Sequence, residues 1–301
     1  MNKATSLTRP AAGDVSLIRV FVNQGNGGNP VPLTIDAHGM QVSEMLAVAR
    51  SHGHESAFVF ESNEPGCDWR FRFFVPEHEM EMCGHATVGT LWAMRQWGIW
   101  SGPTARIETL SGTVDARWDQ DASRVWISQP PVTLASLSSS QQADVIRILG
   151  LAPGPFDIVN ASTSRVKTLI GLPDEQTLNA LAPDFSQIQA LCDAIGSTGL
   201  YPYVITQAGP TGGAGASARQ FPKKSGYPED PATGIAAAAL WGYLQHQGHL
   251  PEGARAFDEV CTVRQGEAMG SPSAILVKPR HDTYGKVDGC WLSGSVQWDR
   301  K

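Results

Sequence analysis

This 301-residue sequence is poor in the features that mark disulfide-stapled, nucleic-acid-binding or membrane-spanning proteins. Its five cysteines, Cys67, Cys83, Cys192, Cys261 and Cys290, are odd in number and scattered, with no Cys-x-x-Cys pair. Such spacing supports neither a disulfide framework nor a structural zinc site. Charged residues make up only 17% of the chain, the net charge is −6, and no cluster of Lys or Arg stands out. The lack of a basic stripe argues against nucleic acid as the main partner. No segment approaches the ~20 apolar residues of a membrane span, and Met1 to Pro10 lacks the apolar core of a signal peptide. No membrane association and a cytoplasmic location are expected.

What is present is one kind of turn, used twice. Met82-Cys83-Gly84-His85-Ala86-Thr87-Val88-Gly89 and Glu229-Asp230-Pro231-Ala232-Thr233-Gly234-Ile235-Ala236 each set a titratable side chain shortly before or within an Ala-Thr and Gly context, and each runs into small and apolar residues. Both read as helix starts. Such a start leaves about four backbone N–H groups without intrahelical partners and carries partial positive charge, which suits a carboxylate or phosphate. The alternative is that Gly and Thr cap two ordinary core helices. The helix behind the second turn has no charge from Ile235 to Leu244, so it lacks a polar face and must be wrapped on all sides. The first, Val88 to Trp97, is nearly as apolar.

The hydrophobic fraction of 42% is that of a compact protein, and the length allows two domains of roughly 100 to 200 residues each. Strand signals recur at Val15–Val22, Val31–Ile35, Ser56–Phe60, Trp69–Val75, Ala105–Thr109, Thr113–Trp118 and Val125–Ser128, with a helix at Gln41–Ser51. A Pro/Ser-rich stretch, Gln129–Ser140, is the candidate linker. The same grammar then restarts: helices at Gln141–Gly150 and Phe185–Ile195, and strands near Asp157–Val159, Val166–Gly171 and Tyr201–Thr206. Two similar α+β halves follow, residues 1–128 and 129–288. The Gly/Ala-rich segment Gly209–Ser217 reads as a loop, either mobile beside a site or plain and solvated.

Three titratable groups occupy conspicuous turns: Glu55, His85 and Asp230. A carboxylate lodged before a buried strand is suited to take and return a proton, though a surface Glu fits the same position. His85, between Gly84 and Ala86, can shuttle protons near neutral pH or simply cap its helix. Asp230 beside Pro231 can act as an ordinary N-cap. Cys83 reads as a reactive thiol at a helix start or as a small packing residue.

Taken together, Gly28-Asn29-Pro30, Glu55-Ser56-Ala57-Phe58-Val59, Cys83-Gly84-His85-Ala86-Thr87, Glu229-Asp230-Pro231-Ala232-Thr233-Gly234 and Gln265-Gly266 with Met269-Gly270 and Pro272-Ser273 resemble, in order, the motifs of the PhzF-like phenazine-biosynthesis family. The resemblance covers nearly the whole chain. It implies the diaminopimelate-epimerase-like fold: α+β, with two pseudo-symmetric domains, each a curved β-sheet or barrel wrapped around a central buried helix, and an active site in the cleft between them. It also implies that a C-terminal strand, 289–301, completes the first domain. Glu55 would be the general acid/base, with His85 and Asp230 positioning substrate and assisting proton movement. The substrate-binding set it suggests is Asn29, Cys83, Gly84, Ala86, Thr87, Thr233, Gly234, Ile235, Gln265 and Gly266. No metal and no organic cofactor are implied, and a homodimer is expected.

Two positions depart from the family. Ile235 stands where Ser is common, removing a hydroxyl from the site. Cys83 resembles the first thiol of the two-cysteine epimerases, while Thr233 holds the place of the second, which excludes a two-thiol racemisation. The expected activity is a cofactor-independent isomerase that moves a proton on a small carboxylate-bearing substrate. The alternatives are an epimerase or hydro-lyase acting on a small amino or hydroxy acid, and a non-catalytic small-molecule binding protein.

Overall fold

The computed structural model describes residues 8–208, 213–249 and 259–299. The fold class is mixed α+β, with six α-helices among the described residues. Of the described residues, 8–20, 30–127 and 293–299 form one compact unit, and 21–29 with those between 128 and 292 form the other.

In the first unit the chain runs β1 (Ser16–Val20), β2 (Asn29–Thr34), α1 (Val42–His52), β3 (Ser56–Glu61), β4 (Trp69–Phe74), β5 (Glu79–Met80), α2 (Gly84–Gln96), β6 (Thr104–Thr109), β7 (Gly112–Asp119) and β8 (Arg124–Gln129). β3 lies parallel to β2, with Leu33 opposite Ala57. It lies antiparallel to β4, with Ser56 opposite Phe74. Helix α1 starts where the Glu44 carboxylate accepts the Gln41 backbone N–H at 2.7 Å. It stops at Gly53, whose φ of 68° suits the left-handed cap that lets the chain reverse into β3. Glu55 is thereby held at the edge between that turn and a buried strand.

The second unit contains β9 (Thr133–Ser136), α3 (Ser139–Ile148), β10 (Asp157–Ser162), β11 (Val166–Gly171), α4 (Glu175–Ala180), α5 (Phe185–Ala194), β12 (Gly199–Ala208), β13 (Gly213–Ala218), β14 (Phe221–Pro222), α6 (Gly234–Gln247), β15 (Cys261–Gln265), β16 (Ser273–His281) and β17 (Val287–Gly294). The last strand, β18 (Val296–Trp298), pairs antiparallel with β1, setting Trp298 against Ile18. The Ser293 hydroxyl donates to the Val125 carbonyl at 2.6 Å. Val296–Trp298 thus joins the first strand.

Each unit has one nearly all-apolar helix packed on its sheet: α2 against β1 and β3, α6 against β10, β11 and β16. In α6 every residue from Gly234 to Trp241 is buried. Each fully buried Leu or aromatic side chain there contributes about 1.5–3 kcal/mol relative to exposure. Both helices need small residues to come so close: a Cβ on Gly89 would lie 2.5 Å from Val20, and one on Gly242 2.8 Å from Val132.

The structure differs from the sequence reading in three stretches. Residues 129–140 are not a bare linker: Thr133–Ser136 pairs antiparallel with β10, and Ser138 caps α3 by accepting the Gln141 N–H at 3.3 Å. Pro130 and Pro131 break the preceding strand, but the partner β10 restores extended pairing immediately after. The expected loop Gly209–Ser217 is largely strand, because β13 is paired on both sides, by β12 and β15; residues 209–212 of it lie outside the described residues. Residues 21–29, read as part of the first half, group with the second unit, where Phe21 accepts the Ala274 N–H at 2.8 Å.

Candidate functional site

The first group of candidate residues is assembled by β3 and the start of α2. Cys83 is the N-cap of α2 in extended geometry (φ −137°, ψ 107°), followed by Gly84, His85 and Ala86 in the first turn. The Thr87 hydroxyl donates to the Cys83 carbonyl at 2.8 Å and so is spent on the helix itself. His85 is 2% exposed. Its Nε2 lies 3.2 Å from Glu55 Oε2, whose side chain is 12% exposed. On the other side of the ring, Nδ1 lies 3.4 Å from Cys83 Sγ. A neutral imidazole satisfies both neighbours when Nε2 donates to the carboxylate and Nδ1 accepts from the thiol. Thiol, imidazole and carboxylate then form one continuous line of exchangeable protons.

His54, next in chain to Glu55, has its pKa lowered by burial first, and then by the neighbouring His85, Arg19 and His52. Desolvation favours its neutral form first, and the ionisable basic neighbours add to it.

The second group lies at the start of α6. Thr233 is the N-cap there, with φ −122° and ψ 89°, close to the Cys83 geometry. Gly234 and Ile235 follow, so Thr233-Gly234-Ile235 is the backbone counterpart of Cys83-Gly84-His85. The backbone pairs Cys83 with Thr233, as the family resemblance implies, and not the titratable residues of the two turns: His85 falls inside its helix and Asp230 falls three residues before its own cap. Asp230 is therefore not the N-cap. It is 4% exposed, and each of its carboxylate oxygens accepts a hydrogen bond. Asn29 Nδ2 donates to its Oδ1 at 2.7 Å, and the Thr233 hydroxyl donates to its Oδ2. Asn29 also donates to the Ala232 carbonyl at 3.0 Å.

Gln265, the last residue of β15, holds this turn from the opposite side. Its Nε2 donates to the Asp230 carbonyl at 2.7 Å, and its Oε1 accepts the Thr233 N–H at 3.2 Å. That same Oε1 accepts the Tyr201 hydroxyl at 3.0 Å. Burial, and then the Asp230 charge, push the Tyr201 pKa well above its ordinary value, which keeps the hydroxyl a donor. Gly266, with φ 81°, allows the approach: a Cβ there would lie 2.7 Å from the Pro231 carbonyl oxygen and 2.3 Å from that of Ser271. A side chain at Gly234 would meet Leu292 at 2.8 Å and Phe21 at 3.1 Å.

Two contributors escaped the sequence reading. Tyr201 opens an expected strand, and nothing local shows that its hydroxyl reaches a residue 64 positions away. Arg219 makes a two-pronged pair with Glu229, at 2.9 and 2.8 Å, and donates to the carbonyls of Leu178 and Leu181. This anchors the residue before Asp230 to the end of α4, and only the Glu229 half belongs to a conspicuous motif. Among the described residues, Glu55, Cys83 and His85 form a cluster of metal-ligating side chains, with one donor atom of each within 4.8 Å of the others. No described helix is long and apolar enough to cross a membrane.

Comparison with known proteins gives a consistent assignment. The family model described as phenazine biosynthesis-like protein matches residues 18–290. An uncharacterized isomerase from Deinococcus radiodurans is 31% identical over 271 residues, covering 87% of this chain and 85% of that protein. Trans-2,3-dihydro-3-hydroxyanthranilate isomerase from Pseudomonas aeruginosa is 28% identical, covering 87% and 88% respectively. The crystal structure of a Bacillus anthracis phenazine biosynthesis protein of the PhzF family superposes with a TM-score of 0.79 at 24% identity, covering 95% of this chain and 96% of that one.

Proposed function

This chain belongs to the phenazine biosynthesis-like protein family, and from that premise we propose that it is an isomerase that relocates a proton on a small carboxylate-bearing substrate by general acid/base catalysis, without a cofactor. The observation that carries the reading is the Glu55–His85 pair: a largely buried carboxylate 3.2 Å from an imidazole that is itself buried. Relatives named as isomerases support the reaction class.

In this reading Glu55 accepts the proton from a carbon made acidic by adjacent unsaturation. The C–H bond breaks, its electron pair shifts along the conjugated system, and the new carboxylic O–H later returns the proton to another carbon. His85 orients the carboxylate by donating to it and moderates its basicity, since a hydrogen bond to the charged form favours that form. The substrate carboxylate is held by helix-start amides, which attract anions. Asp230, with both oxygens already accepting, receives a substrate N–H or O–H on its remaining lone pairs.

Epimerisation by two thiols is disfavoured by the equivalence of Cys83 and Thr233, since one cap carries a thiol and the other a hydroxyl that donates to Asp230.

The test is deuterium uptake in heavy water, followed by mass spectrometry, with a panel of cyclic and amino-bearing carboxylates that includes the substrate of the Pseudomonas relative. Uptake by the wild-type protein and none by Glu55→Gln is the expected result. Equal uptake by both proteins overturns the role of Glu55, and binding without uptake points to a non-catalytic binding protein. Product analysis then separates isomerisation from epimerisation and loss of water.

A further inference from the structure

The acid/base reading involves the start of α6 and leaves the other end of that helix unexplained. There, wholly within the second unit, lies a cleft of about 590 Å³, walled by Phe156, Leu172, Pro173, Val204 and Ile205 and also lined by Asp157. Its volume falls in the range of small-molecule sites, about 300–1,000 Å³. We propose that this cleft binds a small organic ammonium ion with an apolar body, its nitrogen paired with the Asp157 carboxylate.

The sheet explains how a charge comes to stand in an apolar cleft. Asp157 on β10 is opposite Gly171 on β11, and Gly171 is opposite Tyr203 on β12, so the three form one row across the sheet. Residues in such a row put their side chains on one face. Gly171 has none, and a Cβ there would lie 3.2 Å from the Tyr203 hydroxyl oxygen and 3.5 Å from Asp157 Cβ. Across the space that the glycine leaves, the Tyr203 hydroxyl donates to Asp157 Oδ2 at 3.5 Å, and the Tyr243 hydroxyl of α6 donates to the same oxygen. Burial first, and then Asp157 itself, raise the pKa of both tyrosines above the ordinary value, so both remain donors.

The charge of this carboxylate has no cation to balance it. Both hydroxyls converge on Oδ2, and Oδ1 accepts no side-chain hydrogen bond among the described residues. No Lys or Arg is among the described residues that line the cleft, and His249, which does line it, makes no ion pair with Asp157. The end of α6 adds to the negative side. The helix stops at Gln247, Gly248 caps it with φ 71°, and the His249 N–H donates to the Leu244 carbonyl at 2.9 Å. A helix C-terminus carries partial negative charge and favours cations.

A carboxylate, a negative helix end and apolar walls together suit an ammonium group on an apolar body, and they disfavour carboxylates and phosphates. With a rise of about 1.5 Å per residue, Tyr243 stands roughly 14 Å along α6 from Gly234, which separates the cleft from the Asp230 turn. The inference therefore does not rest on the acid/base reading.

The test is calorimetric titration of the full chain with 2-phenylethylamine, beside its neutral counterpart 2-phenylethanol. The amine should bind with a dissociation constant of about 1 mM or tighter, and the alcohol about tenfold or more weakly. Asp157→Asn should weaken the amine about tenfold or more and leave the alcohol as it was. Ile205→Ser, at a wall position that is 45% exposed and so outside the core, should weaken both alike. Added salt should weaken the amine alone. Absence of amine binding by the wild type, equal binding of amine and alcohol, or amine affinity that survives Asp157→Asn overturns the proposal. Should Asp157→Asn fail to fold, amine binding that responds neither to Ile205→Ser nor to salt overturns it instead. Glu55 has no part in this titration, so its outcome is independent of the deuterium-uptake assay.

Discussion

The starts of α2 and α6 have nearly the same backbone and opposite chemistry. At α2 the cap is a thiol, the second helical residue is an imidazole, and a carboxylate stands 3.2 Å away. At α6 the cap is a hydroxyl, the second residue is Ile235, and the nearby carboxylate is held by Asn29 and Thr233, with Gln265 bracing the turn. The first arrangement consists of groups that can change protonation state. The second ties its one carboxylate to amides and hydroxyls that do not titrate in the ordinary range. Repeating a backbone therefore does not repeat a function, because the reactivity belongs to the two or three side chains mounted on it.

The largest expected effect falls on the α2 start. Glu55→Gln keeps the shape but removes the proposed proton acceptor, and turnover of any substrate found in the exchange assay should fall by about 10³-fold. Circular dichroism should be unchanged. A fall below tenfold would dissolve the proposed division of labour.

The next effect should appear at the other start, as stability. Asp230→Ala removes one of the two acceptors of the Asn29 amide and the acceptor of the Thr233 hydroxyl, and should cost about 3 kcal/mol in urea unfolding. Cys83→Ala, at the equivalent cap of the α2 start, should cost about 1 kcal/mol. If the two costs are equal, the α6 start is no more tightly braced than the α2 start.

Glycine replacement within the two buried helices should separate them further. At Gly242 a methyl group meets the stiff Cβ of Val132 at 2.8 Å, and Gly242→Ala should cost about 1–2 kcal/mol. At Gly89 the neighbours are methyl ends, Val20 Cγ2 at 2.5 Å and the tip of the Ile18 side chain at 2.6 Å, which can shift further than a Cβ fixed to its backbone. Helix propensity returns about 1 kcal/mol at either position on replacing Gly with Ala, so the order is set by the neighbours. Gly89→Ala should therefore cost less than Gly242→Ala by thermal melting, and the reverse order would show that α2 is the less forgiving helix.

The smallest effect concerns pH. His54 has a folded pKa below its ordinary value of 6.5, so the unfolded chain binds more protons once the pH drops through that value. Stability should then be full above about pH 6.5 and decline below it, until the folded-state pKa is passed. His54→Gln should flatten that part of a pH-stability curve measured by denaturant midpoint. An unchanged slope would assign the acid sensitivity to other groups.

Much of this was legible because it is local. Both helix starts could be read from Gly-containing turns followed by uncharged apolar runs, and α2 and α6 begin at Gly84 and Gly234. The strand preceded by Glu55, and the positions of Cys83 and His85, follow from short-range patterning in the same way. The strands at 133–136 and 213–218 were not legible, since a Pro/Ser-rich stretch and a Gly/Ala-rich stretch become strands only when neighbouring strands supply hydrogen-bond partners.

The sequence by itself determined the α+β class, the two nearly all-apolar helices and which residue types crowd their starts, because helix capping and hydrophobic periodicity act within a few residues. Only the tertiary structure decided that Asn29 reaches Asp230 across 201 positions and that Tyr201 and Gln265 meet. Those pairings are set by packing and by the requirement that buried polar groups find partners. That requirement is met by whichever residues the fold brings together, however far apart they lie in the chain.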